Sequence, residues 1–127
     1  MPPPATTKKV LVIDDDQNLN GSLRRKFKKV GLPSEGAFDG KQGLDLMKRE
    51  RFDGILLDLK MPVLDGFAVL KGKNDTLNPD TPVYVLTAMN EKQCERARAL
   101  GAREAFDKIH ISPLEVAEEV KKRLFAG

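Results

Sequence analysis

The chain is poor in the residues that build crosslinks and zinc clusters. Its 127 residues include one cysteine, Cys94, and one histidine, His110. A single cysteine closes no internal disulfide. One cysteine and one histidine cannot furnish a zinc site built from several such ligands. Long apolar runs are missing too. The longest early run, Val10-Leu11-Val12-Ile13, is far too short for a signal peptide or a membrane span. That absence points to a cytoplasmic protein with no membrane partner. Charge of one sign is also scarce: 22 basic side chains against 19 acidic ones leave a formal net charge of +3. This is too mild to argue for nucleic acid.

What is present suits one compact domain. Hydrophobic content is 40% and charged content 32%, as in ordinary globular proteins. A chain of this length buries a substantial core and needs no staple. Residues 1–7, Met-Pro-Pro-Pro-Ala-Thr-Thr, carry no apolar pattern and are expected to be a flexible leader. The domain is then expected over residues 8–127, without an internal repeat.

Two hydrophobic periods alternate along it. Strands are expected at 9–14, a short apolar run, and at 33–38, 52–58, 81–87 and 102–108. Helices are expected at 17–30, 40–51, 65–74 and 90–100, with a last one opening at Ser112-Pro113. Gly31 and Gly101 read as helix stops, and Asp65 and Asn90 as helix caps. Five strand–helix units with near-continuous apolar strands require a parallel sheet covered on both faces. The expected fold is a doubly wound, five-stranded α/β domain with right-handed crossovers.

A parallel sheet gathers its strand tips at one edge. Those tips carry Asp14-Asp15-Asp16, Asp58, Thr87 and Lys108. Two like charges ~4 Å apart repel by about 4 kcal/mol at an effective dielectric near 20. Several carboxylates in one crevice therefore demand a cation or raised pKa values. Hard oxygen ligands favour Mg²⁺ over zinc. A carboxylate beside a divalent cation, an ammonium and a hydroxyl suits phosphoryl transfer, with Asp58 as the in-line nucleophile. Taken singly, each residue has a plainer role. Asp14 or Asp16 could cap a helix, Thr87 could close a turn, and Lys108 could be a solvated strand-end charge.

The stretches VLVIDDD, ILLDLKMPVLDG, VYVLTA and AFDK resemble, in order and spacing, the receiver domains of bacterial response regulators. The resemblance runs from about residue 8 to residue 124. It implies a flavodoxin-like (βα)5 sheet with strand order 2-1-3-4-5. It implies Asp58 as the phosphoacceptor, charged by a histidine kinase or a histidine phosphotransfer protein. Asp14, Asp15, Asp58 and the backbone carbonyl of Lys60 would hold Mg²⁺. Thr87 and Lys108 would bind the phosphoryl oxygens. The protein would also phosphorylate itself from small donors, hydrolyse the acyl phosphate slowly, and act on a downstream effector.

Two positions depart from that family's pattern. Ile109 follows Lys108 where the family has a proline joined by a cis peptide; without proline, a cis bond costs ~3 kcal/mol. Ala105 stands where the family carries a switching aromatic ring, and strand alternation sends Phe106 to the opposite face. The usual switch through Thr87 and a ring is thus in question.

Two other readings follow from the same residues. One is a small phosphohydrolase that resembles the haloacid dehalogenase family, with Asp14 as nucleophile. The other is a receiver-like module that binds partners without phosphorylation. The basic run Arg24-Arg25-Lys26-Phe27-Lys28-Lys29 reads as a solvated helix face, or else as a docking surface for an acidic partner. Its lack of interleaved aromatics argues against direct nucleic-acid binding.

Overall fold

The structure, a computed structural model, describes residues 8–88 and 90–126. The expected leader lies outside them. Five strands, β1 (Val10–Ile13), β2 (Ser34–Ala37), β3 (Gly54–Leu57), β4 (Val83–Thr87) and β5 (Glu104–Asp107), form one parallel sheet in the order β2-β1-β3-β4-β5. They alternate with α1 (Gln17–Lys29), α2 (Gly40–Arg49), α3 (Gly66–Gly72), α4 (Glu91–Ala99) and α5 (Pro113–Leu124).

The three central strands, β1, β3 and β4, are almost wholly apolar because both faces are covered, whereas the edge strands β2 and β5 carry Ser34, Glu35, Glu104 and Asp107. Leu11, Ile13, Ile55, Leu57, Val83 and Val85 pack with Met47, Phe67 and Ala97 from α2, α3 and α4. Val10, Val12, Leu56, Tyr84, Leu86 and Phe106 pack on the opposite face with Leu23, Phe27, Val116 and Val120 from α1 and α5. Each fully buried Leu, Ile or Phe contributes roughly 1.5–3 kcal/mol.

Helix starts follow side-chain chemistry. Asp16, Asp39, Asp65, Asn90 and Ser112 each accept a backbone N–H from the first turn of α1 to α5 in turn. Ser112 and Glu115 complete a reciprocal capping box, with Pro113 in the first turn. Gly31 and Gly101, both at positive φ, follow the ends of α1 and α4. The third helix is shorter than its apolar pattern suggests. It ends at Gly72 and tightens into a 3-10 turn, Lys73–Asp75.

That turn leads to a polar hub at the edge of the sheet where β3 and β4 begin. Asn78 is fully buried. Its amide donates to the carbonyls of Met47 (2.8 Å) and Glu50 (2.9 Å) at the end of α2. Its Oδ1 accepts from Phe52 N (2.8 Å) and Thr81 Oγ1 (3.0 Å). Lys73, also buried, donates to the carbonyls of Asn78 and Pro79. Burial pulls its pKa below the ordinary lysine value.

Candidate functional site

The other edge of the sheet, where the strands end, holds the acids. β1 and β3 are neighbours in register, Ile13 beside Leu57, so Asp14 and Asp58 emerge side by side. Their backbones are pinned: Asp14 N donates to Ala37 O (3.1 Å), and Asp58 N to Ile13 O (3.0 Å). β4 and β5 bring in Thr87 and Lys108, with Lys108 N donating to Thr87 O (3.0 Å).

These side chains converge. Asp14, Asp15 and Asp58 each place an oxygen within 4.8 Å of the others. Asp14 and Asp58 are buried, at 2% and 6% exposure, while Asp15 faces solvent. Lys108 Nζ lies 3.0 Å from Asp14 Oδ2 and 3.1 Å from Asp58 Oδ2, bridging the two. Beside it opens a cleft of about 410 Å³, lined by Asp58, Lys60, Thr87, Ala88 and Lys108.

The electrostatics follow from burial and proximity. Burial pushes the pKa of Asp14 up, and Asp58 adds to the shift; the N–H of Asp16 (2.9 Å) and Lys108 oppose it. For Lys108, burial works against its charge, but Asp58 and Asp14 outweigh it and hold its pKa above the ordinary value. One ammonium stands against three carboxylates. The set is acidic, oxygen-only and partly open to water, which fits a hard divalent cation such as Mg²⁺.

The loop between β3 and α3 is held tightly under Asp58. Gly66 N donates to Leu59 O (2.9 Å). A Cβ at Gly66 would sit 2.5 Å from the Asp58 carbonyl oxygen, so any side chain would force the loop away. Between Pro62 and Leu64, whose N–H donates back to Pro62 O (2.8 Å), Val63 adopts φ 70° and is exposed. A β-branched residue at positive φ is strained.

The two unusual positions behave as strand geometry dictates. Phe106 packs with the α1/α5 core, whereas Ala105 faces the other side of the sheet. Ala105 and Thr87 share the wall of a groove of about 400 Å³ between α4 and β5, with Cys94 and Ile109. The Lys108–Ile109 peptide is trans, and Lys108 still reaches both carboxylates.

One contributor escapes sequence reasoning. Asn20, fully buried in α1, donates to the carbonyls of Asp14 (3.0 Å) and Ala37 (2.9 Å), with a longer contact to Val12 O (3.3 Å). It ties the tips of β1 and β2 to α1 and so fixes the backbone that presents the acidic pair. Its only trace in the sequence is an asparagine inside a helix, where that residue is not a favoured helix former.

Comparison with known proteins agrees with this geometry. The family model for the response regulator receiver domain matches residues 10–120. The response regulator MprA of Mycolicibacterium vanbaalenii is 40% identical over 94 residues, which cover 74% of this chain and 40% of that protein. The chain thus spans well under two thirds of the curated relatives it matches. The receiver domain of the Francisella response regulator 1452 superposes with a TM-score of 0.80 at 30% identity, covering 92% of this chain and 98% of that one. A Burkholderia pseudomallei response regulator, solved with a phosphorylated aspartic acid, a calcium ion and citrate, gives 0.78 at 26% identity, over 94% and 74%. Matched along most of its length, from β1 into α5, the chain belongs to the response regulator receiver domain family.

Proposed function

We propose that residues 8–127 act as a phosphorelay switch that takes a phosphoryl group on Asp58 from a phosphohistidine of a histidine kinase or phosphotransfer protein. The carrying observation is that Asp58 lines an open cleft while sharing a cation with Asp14. A carboxylate oxygen of Asp58 attacks phosphorus in line. The P–N bond to the donor imidazole breaks as the P–O bond to Asp58 forms, and the imidazole leaves with its electron pair. Lys108 and the Thr87 hydroxyl hold the phosphoryl oxygens where charge builds up. Mg²⁺, held by Asp14, Asp15, Asp58 and the carbonyl of Lys60, supplies the positive charge that neutralises the crowded oxygens. Water later attacks phosphorus, the P–O bond to Asp58 breaks, and inorganic phosphate leaves the free carboxylate behind. The likeness to a relative solved with a phosphorylated aspartic acid supports this reading.

Asp14 is less suited to be the nucleophile of a phosphohydrolase. It does not line the cleft that Asp58 lines, and it is the more deeply buried of the two. We place the protein in the cytoplasm, where such donors work; among the described residues no helix is long and apolar enough to cross a membrane.

The test is intact-mass spectrometry after incubation with acetyl phosphate and Mg²⁺. One phosphoryl group is expected on the native chain and none on Asp58→Asn. Equal uptake by both proteins would sink the assignment. A module that works without phosphorylation would instead show no thermal stabilisation by Mg²⁺ or by a beryllofluoride phosphoryl mimic.

A further inference from the structure

Helix α1 carries five cations, Arg24, Arg25, Lys26, Lys28 and Lys29, and no acid. They exceed the net charge of the whole chain, +3. Among the described residues none of the five forms an ion pair, although ten such pairs occur elsewhere. Three sit in the last turn, where the helix dipole favours them. That accounts for some of the charge but not for Arg24 and Arg25.

These two line a groove rather than a flat surface. Gly21, Arg24, Arg25 and Lys28 of α1 face Pro33 and Ser34 across about 460 Å³. Arg24 is pre-positioned by its bond to Asn20 (2.8 Å) and by the ring of Phe38. The far wall is the start of β2, an edge strand. The carbonyls of Pro33 and Ala37 accept from Val10 and Asp14 on the β1 side. By strand alternation the backbone N–H and C=O groups of Ser34 and Gly36 point outward, away from the sheet.

We propose that this groove receives an extended acidic segment of a partner protein. Its main chain lies along Ser34 and Gly36, and its carboxylates meet Arg24, Arg25 and Lys28. Strand addition supplies the hydrogen bonds, and the unneutralised cations supply the sign of charge. Nucleic acid fits less well. No aromatic ring lines the groove, and Phe27, the one aromatic of α1, is fully buried, so the aromatic platform that single strands use is missing. A duplex is read by elements that protrude into its grooves, and this feature is a recess. Ser34 is in register with Val10, four residues before Asp14, or roughly 13 Å along the strand. Gly36 is in register with Val12, so the contact runs along the outer side of β2 from the start of the strand and stops short of the acidic tips, and it does not depend on the phosphoacceptor reading.

Fluorescence anisotropy with a labelled oligoglutamate peptide, on the full chain at low and high salt, tests this. Oligoglutamate is expected to bind and oligoglutamine not to. The exposed double variant Arg25→Glu/Lys28→Glu should weaken binding by about tenfold or more, and Arg25→Gln/Lys28→Gln by less. Lys48→Glu, on α2, should bind as the native chain does. Amide shifts on titration should centre on Ser34 and Gly36. The proposal is overturned by equal binding of oligoglutamine, by an equal loss in Lys48→Glu, or by shifts centred elsewhere. A duplex DNA that displaces the peptide and binds more tightly would overturn it in favour of nucleic acid.

Discussion

The two edges of the sheet treat buried polar groups in opposite ways. Where β3 and β4 begin, Asn78 matches two donors with two acceptors and leaves nothing unpaired. Where β1 and β3 end, three carboxylates crowd together and one ammonium bridges only two of them. The first edge is saturated around Asn78, and it joins α2 to β3 and β4. The second is held in imbalance, as the proposed binding of a cation and a phosphoryl group requires. Stability and reactivity thus occupy opposite ends of the same short strands.

The largest expected effect attacks the reactive edge. Asp58→Asn should drop phosphoryl uptake to background in the acetyl phosphate assay, while urea denaturation shows a change within about 1 kcal/mol. A loss of several kcal/mol would break the division, because Asp58 would then be holding the fold together. The reverse experiment is Asn78→Ala. It strands the amide of Phe52 and the carbonyls of Met47 and Glu50. Unfolding in urea should come earlier by about 3 kcal/mol or more, at 1–3 kcal/mol for each orphaned group. Phosphoryl uptake per folded molecule should be unchanged.

Smaller effects sharpen the contrast. Val63→Gly should stabilise the fold by about 1 kcal/mol, as relief of backbone strain outweighs the added freedom of the unfolded chain. Phosphoryl uptake should slow as the loop under Asp58 loosens. A stabilised variant with unaltered uptake would show that the strain is incidental. The smallest effect concerns pH. Lys73 has a lowered pKa in the fold, so between that value and the ordinary lysine value the unfolded chain binds more protons. Stability from this group therefore rises with pH across that window and levels off near ~10.4. In Lys73→Met the rise should vanish, as thermal melts across alkaline pH would show.

The parts of this molecule legible in the sequence are those governed by period and by charge. Apolar runs of four residues sit in a sheet covered on both sides, so Val10–Ile13 and Gly54–Leu57 announce themselves. The opposite facing of Ala105 and Phe106 follows from a period of two. The crowding of acids at the strand tips, and the need for Lys108 among them, follow from topology and Coulomb repulsion. The strand order itself came from likeness to a family, not from periodicity. Asn20, Asn78 and Lys73 stayed hidden. Each is a residue type usually at the surface, and each is buried here because the backbone around it needs partners from elements far off in sequence. A side chain that serves distant carbonyls leaves no local rhythm.

Val63 carries one more consequence. A segment already bent against its preference has little slack to surrender. If Asp58 takes a phosphoryl group as proposed, the strained loop after β3 would have little room to yield, and movement would fall to the groove that Ala105 and Thr87 line. Direction, in such a device, is decided before the message comes.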